Sequence, residues 1–192
     1  MAAVRIALAA LSLLAASPAE AQSVDRWRPY IAEASERFGV PVAWIERVMR
    51  AESGGRTTLD GRPIVSRAGA MGLMQLMPRT WADMRARLGL GRDPHAPRDN
   101  IMAGTYYLRL MYDRFGYPGL FGAYNAGPAR YSAWLAGRSD LPGETRAYMA
   151  SVAGRRGSSV AAPPAALFAA RSRPIAEAEA REASPPIFFI RR

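Results

Sequence analysis

The 192 residues include no cysteine, and their formal net charge of +10 comes from arginine alone, since lysine is absent. Without cysteine there is no disulfide framework and no thiolate metal site, so stability rests on a packed core, and the length suits one such core. The arginines are spread along the chain with no nucleic-acid motif, which excludes a dedicated nucleic-acid binder and reads as a solvated basic surface.

Residues 1–21 read as a signal peptide. Arg5 supplies a basic start, Ile6 to Ala16 is an apolar run too short to span a bilayer, and Ala19-Glu20-Ala21 is a small-x-small cleavage site. The mature chain is then expected to begin at Gln22, exported and soluble, without stable membrane insertion. Gln22 is not the cysteine that a lipid anchor would need.

Residues 22–154 read as helices punctuated by glycine and proline. Trp27, Tyr30, Ile31, Ala34 and Phe38 form a first apolar stripe, which Gly39 can cap in the left-handed conformation. Pro41 suits the first turn of a second helix that runs to Ser53. A Gly-rich connection follows, where Asp60-Gly61 between Thr57-Thr58-Leu59 and Ile64-Val65 predicts a small hairpin. Pro78 to Leu88 is a third helix. Asn100 to Phe115 is the strongest, with Asp99 as its expected cap and Gly116 as its stop. Shorter helices are expected near Leu120–Asn125, Ala129–Leu135 and Gly143–Val152. The expected class is all-α, with one hairpin at most.

From Arg155 the composition shifts to Ala, Pro, Arg and Glu, which predicts a disordered tail over 155–192. Its end, Ile187-Phe188-Phe189-Ile190, offers four apolar side chains to anchor a partner as an added strand. The competing reading is a silent terminus.

Glu52 carries the most chemical information. Ile45, Val48, Met49 and Glu52 fall at i, i+3, i+4 and i+7, so a carboxyl sits on the apolar stripe at a helix C-terminus. Burial and the helix dipole both disfavour its charged form, which predicts a raised pKa and a proton to donate near neutrality. The same spacing also fits a helix-end glutamate that swings out to water. Met71 to Met77 is an apolar run broken by Gln75, which fits a pocket wall with one amide for a sugar, or a core segment with its amide in solvent. Tyr124-Asn125 before Gly127-Pro128 places two polar side chains at a helix end, as binding groups or as a cap. Ser53 lacks the support of a nucleophile, because the one histidine, His95, lies in a Pro-rich loop. No Cys, His or Asp cluster suggests a metal, and no cofactor is expected.

Four ordered segments belong together: Glu52-Ser53-Gly54-Gly55, Gly69 to Pro78, Ala123-Tyr124-Asn125-Ala126-Gly127-Pro128, and Glu144-Thr145-Arg146-Ala147-Tyr148. In this order they resemble the lytic transglycosylases of the soluble-transglycosylase type, lysozyme-like enzymes that cleave bacterial peptidoglycan. Asn100-Ile101, Gly104 and Tyr107-Leu108 match the central helix of that family. The resemblance covers Val24 to Ala153. It departs at Arg56, where the family often has Asn, and at Ser66-Arg67-Ala68-Gly69.

The resemblance implies a lysozyme-like fold and Glu52 as the single general acid and base. It implies cleavage of the bond from N-acetylmuramic acid to N-acetylglucosamine with closure of a 1,6-anhydro ring. Ser53, Gln75, Met77, Tyr124, Asn125, Glu144 and Tyr148 would contact peptidoglycan glycan strands, in the periplasm of a Gram-negative bacterium. A small domain with a tail also resembles transglycosylases that open the wall for a secretion or conjugation apparatus, with the tail recruiting its proteins. Two rivals share the motifs. A goose-type hydrolytic lysozyme would need a second carboxylate, with Asp60, Asp83, Asp93 and Asp99 as candidates, and a wall-binding assembly factor would need no catalysis at all.

Overall fold

A computed structural model describes residues 24–153. The expected signal peptide over 1–21 and the expected tail over 155–192, with Ile187–Ile190, lie outside the described residues. Helix α1 (Arg28–Phe38) ends at Gly39, whose φ of 66° is the left-handed cap expected of it and whose N–H donates to Ser35. Helix α2 (Val42–Ser53) follows, with Pro41 at the N-cap position, one residue ahead of the turn expected for it.

The hairpin pairs β1 (Thr58–Leu59) with β2 (Arg62–Pro63), Leu59 opposite Arg62. Asp60 and Gly61 both take positive φ, 51° and 73°, which is the two-residue turn that matches strand twist. That tight turn starts β2 two residues earlier than the apolar Ile64-Val65 pair suggests. Ile64 still donates its N–H to Thr57, so it extends the pairing by one bond.

Helix α3 (Pro78–Leu88) closes at Gly89. Helix α4 (Pro97–Ala126) is two helical segments joined across Gly116 and Tyr117, whose dihedrals are non-helical. Gly116 therefore stops the helix as expected, but the chain resumes helix immediately. The expected cap at Asp99 is a correction. Ala96 occupies the N-cap position, Pro97 opens the first turn, and Asp99 Oδ2 accepts from the Gly91 N–H at 2.9 Å. Asp99 thus ties the preceding loop to the helix. Helices α5 (Pro128–Leu135) and α6 (Gly143–Val152) complete the domain. The helical class with one small hairpin is the expected one.

Helix α4 is the axis. It packs against α1, α3, α5 and α6, while α2 packs against α1 and α6. Trp44 of α2 is fully buried, with its ring centroid 5.2 Å from Tyr117, 5.5 Å from Tyr112 and 5.9 Å from Phe121. Ile31, Ile45, Val48, Ile101, Leu108 and Leu120 share that core. Removing such apolar area from water contributes roughly 1.5–3 kcal/mol per side chain. The anchored stripe of α2 fixes where its C-terminal carboxyl emerges.

Candidate active site

Glu52 opens into a cleft of about 430 Å³. One wall is the loop from Ser66 to Met77 with Thr80 of α3, and the other is Tyr107, Tyr124 and the turn from Asn125 to Pro128. Burial raises the Glu52 pKa, the Tyr148 hydroxyl opposes that rise, and the charge of Glu144 adds to it, leaving the carboxyl at about 7. A proton donor near neutrality is what the helix spacing predicts. The Tyr148 hydroxyl lies buried beside this carboxyl but closes no well-formed hydrogen bond with any described group.

The loop that carries Gln75 is held by side chains. Ser53 Oγ donates to Leu73 O at 2.8 Å, Asn100 Oδ1 accepts from Met74 N at 2.7 Å, and Tyr124 Oη donates to Met74 O at 2.7 Å. Asn100 is fully buried, and its amide also donates to Met71 O and Pro94 O. A Cβ at Gly72 would stand 2.4 Å from Asn100 Nδ2, and one at Gly104 would stand 2.4 Å from Met74 Cβ. Both glycines therefore allow the loop to lie directly on α4. So clamped, Gln75 takes a φ of 47° and lines the cleft. Its side-chain amide donates once, to Gly72 O at 2.8 Å, and keeps a second N–H and its carbonyl oxygen for a ligand.

Ser53 does not reach the cleft, which corrects its expected contact with substrate. It is 2 % exposed, and its oxygen donates to Leu73 while accepting from the Gly55 N–H at 3.1 Å. Adjacent residues on a helix point about 100° apart, so Ser53 turns inward as Glu52 turns to the cleft. Gly55 is a second anchor of the same turn. Its carbonyl accepts from Trp27 Nε1 at 2.8 Å and from Arg26 Nη2 at 3.0 Å.

Met77 is 45 % exposed on the cleft wall. Tyr124 is buried with its ring 5.2 Å from that of Tyr107. Asn125 Oδ1 accepts from Thr145 Oγ1 at 2.9 Å, which docks the start of α6 onto the end of α4. Glu144, exposed in the first turn of α6, also lines the cleft. Tyr107 is a wall residue that sequence reasoning placed only in the central-helix motif. None of Asp60, Asp83, Asp93 and Asp99 lines the cleft; the carboxyl that shares it with Glu52 is Glu144.

The profile of the family described as Transglycosylase SLT domain matches residues 29–146. The soluble lytic murein transglycosylase of Salmonella typhimurium is 39% identical over 107 residues, covering 46% of this chain and 17% of that protein. Membrane-bound lytic murein transglycosylase C of Glaesserella parasuis is 35% identical over 96 residues, 47% of this chain and 25% of that one. The 70-kDa soluble lytic transglycosylase of Escherichia coli superposes with a TM-score of 0.56 at 30% identity, over 66% of this chain and 22% of that one. An inactive Glu-to-Gln mutant of lytic transglycosylase Slt from Pseudomonas aeruginosa gives 0.55 at 29% identity, over 65% and 22%. The chain spans a quarter or less of the length of these four relatives. The matched segment runs from the first turn of α1 through the Glu52 turn, the Gln75 loop and the Tyr124 helix to the first turn of α6, and on that span the chain belongs to the transglycosylase SLT domain family.

Proposed function

We propose that this domain is a peptidoglycan lytic transglycosylase that cleaves the β-1,4 bond from N-acetylmuramic acid to N-acetylglucosamine, with Glu52 as its single general acid and base. The observation that carries this is Glu52 itself, a carboxyl with a pKa of about 7 in a cleft lined by Gln75, Tyr107, Tyr124 and Asn125. A group with that pKa gives and takes a proton at neutral pH. Glu52 protonates the glycosidic oxygen as the bond to C1 breaks, and the substrate's own N-acetyl group supports the cationic carbon. The C6 hydroxyl of the same muramic acid then adds to C1, and its proton returns to Glu52. Water is neither consumed nor released.

The uncommitted amide groups of Gln75 are suited to the N-acetyl group and sugar hydroxyls, Met77 to a sugar face, and Tyr148, buried against Glu52, to holding that carboxyl in place. Burial keeps Glu52 protonated, and the charge of Glu144 adds a smaller push in the same direction. On this reading the enzyme works in the periplasm and reaches it through residues 1–21 as a signal peptide. No helix among the described residues is long and apolar enough to cross a membrane. Recruitment to a secretion or conjugation apparatus through Ile187–Ile190 rests on the sequence alone. Unchanged partner capture after deletion of residues 184–192 would remove it.

The deciding experiment is mass spectrometry of products from purified peptidoglycan, for the mature chain, Glu52→Gln and Glu144→Gln. Muropeptides one water lighter than lysozyme products, lost in Glu52→Gln and kept in Glu144→Gln, are expected. Reducing-end products that need both carboxyls would instead identify a hydrolase with Glu144 as its second carboxylate. Tight wall binding without products would identify an assembly factor.

A further inference from the structure

Helix α6 brings two groups to Glu52. Glu144 and Tyr148 are four residues apart and share a face, and Ser151 and Val152 continue that face by one turn. The neighbouring face docks on α4, through Thr145 on Asn125 and through Met149, whose Sδ would stand 2.7 Å from a Cβ at Gly122. Past Tyr148 the fit against α2 is loose, and a hollow of about 190 Å³ opens among Arg47, Arg50, Ala51, Ser151 and Val152. Hydrogen bonds hold the helix end there. Tyr117 Oη donates to Ala153 O at 2.7 Å, and Arg47 Nη1 donates to Val152 O at 3.4 Å and to Ala153 O at 3.5 Å. A helix leaves its last carbonyls without partners and with partial negative charge, so a hydroxyl and a guanidinium suit that end. The break in α4 supplies the hydroxyl. Gly116, at φ 64°, and the extended Tyr117 turn the chain out of the helical path. The Tyr117 ring then lies 5.2 Å from that of buried Trp44 and 5.9 Å from that of buried Phe121, which fixes where its hydroxyl points.

We propose that Tyr117 and Arg47 are positioning residues for the acid: by holding the last turn of α6, they keep Tyr148 seated against the Glu52 carboxyl. The inference rests on the reading of Glu52 as the acid. The held carbonyls lie one turn past Tyr148, about 6 Å along the helix, so slack at that end reaches Tyr148 directly. The groups that face Glu52 are Tyr148 and Glu144 from α6 and Tyr124 from α4. Release of α6 withdraws the first two and leaves the third. Water then reaches the carboxyl and its aim is lost. The glycan-binding wall of Gln75, Tyr107 and Tyr124 stands on other elements and keeps its place. Loss of the two donors therefore falls on the chemical step and not on substrate binding.

The test uses the full mature chain and reads kcat and KM on peptidoglycan, thermal stability, and titration of the Glu52 carboxyl by carbon-13 NMR. Tyr117→Phe keeps the ring and removes its donor. Arg47→Met keeps the apolar stem and removes the charge, while Arg47→Lys keeps a cationic donor. Ile31→Val, in the core of α1, is the control for stability alone. The double variant Tyr117→Phe with Arg47→Met is expected to lose about fivefold to twentyfold in kcat, with KM within about twofold of the parent. Its Glu52 titration is expected to fall from about 7 toward the ordinary carboxylate range, because burial is the largest cause of the rise. Tyr117→Phe with Arg47→Lys recovers most of what the arginine contributes, and Ile31→Val lowers stability while leaving kcat and the titration in place. A double variant with the parent's kcat and titration overturns the positioning role, as does a loss of kcat that Ile31→Val reproduces. A parent that yields no products, with a Glu52 titration that still falls in the double variant, keeps the positioning of the carboxyl and overturns its reading as the acid.

Discussion

The Tyr124 hydroxyl donates to Met74 O across 2.7 Å, and Asn100 at the other end of α4 receives the Met74 N–H at the same distance. One residue of an irregular loop is thereby held at both its polar ends by the two segments of one broken helix. Gln75 follows it directly and inherits its position. Asn100→Ala strands the buried Met74 N and takes a partner from the half-buried Met71 O and Pro94 O, and is expected to cost about 2–3 kcal/mol. Tyr124→Phe strands one carbonyl and is expected to cost about 1–2 kcal/mol. Urea denaturation of both variants measures this. Costs below a few tenths would mean that the loop is held by packing alone.

The Glu52 carboxyl, raised from 4.5 to about 7 by burial first of all, ties stability to pH. Between those two values the folded protein holds a proton that the unfolded chain has released. Stability from this group is therefore fully present below pH 4.5 and is lost as pH rises through 7, by about 3 kcal/mol in total. Glu52→Gln carries no such charge. It is expected to match the parent near pH 4 and to exceed its stability by about that amount at pH 8, while losing turnover. A stability difference that stays flat from pH 4 to pH 8 would show Glu52 to be solvated. In the parent, the rate falls about tenfold per pH unit above 7 as the acid is lost.

Much of this arrangement is legible in the sequence, because it depends on local periodicity. The position of Glu52 follows from Ile45, Val48 and Met49, and Gly39 and Gly116 mark helix ends through their positive φ. What escapes is set by distant partners. Asn100 reads as a helix-start residue, yet its hydrogen bonds reach 26 and 29 residues back along the chain. Tyr107 reads only as part of the central-helix motif, and its place in the cleft wall depends on what packs beside α4, which periodicity does not show. Ser53 reads as a site residue by adjacency to Glu52, although a one-residue step on a helix carries it to another face. The second strand starts two residues earlier than its apolar pair suggests, because the turn at Asp60-Gly61 is set by backbone twist rather than by apolar pattern.

Glu144 acts on Glu52 through charge alone. It is exposed in the first turn of α6, and its carboxylate raises the Glu52 pKa after burial has done so. Glu144→Gln is expected to keep the fold and to move the alkaline limb of the rate profile to lower pH, with KM for glycan changed little. The shift shrinks in high salt, since exposed charges are screened. A profile that stays in place would leave Glu144 without influence on the acid.

The turn after Glu52 is pinned from the N-terminal side, by Trp27 Nε1 and Arg26 Nη2 on the carbonyl of Gly55, and from within, by Ser53 Oγ on the Gly55 N–H. Arg26 is exposed and lies over the Trp27 ring at 4.6 Å, so the indole is the better-shielded donor. Trp27→Phe keeps an aromatic ring there and removes only that donor. The expected cost is about 1 kcal/mol of stability, with Arg26 keeping the carbonyl satisfied. The larger effect falls on turnover, because the helix end that aims the Glu52 carboxyl loses its stiffest tether while the glycan-binding wall is untouched. A several-fold fall in kcat at nearly constant KM is therefore expected, and Trp27→Phe combined with Arg26→Gln deepens it. Equal loss in kcat and in thermal stability, with KM rising in step, would mean that Trp27 serves the core and not the aim of the acid.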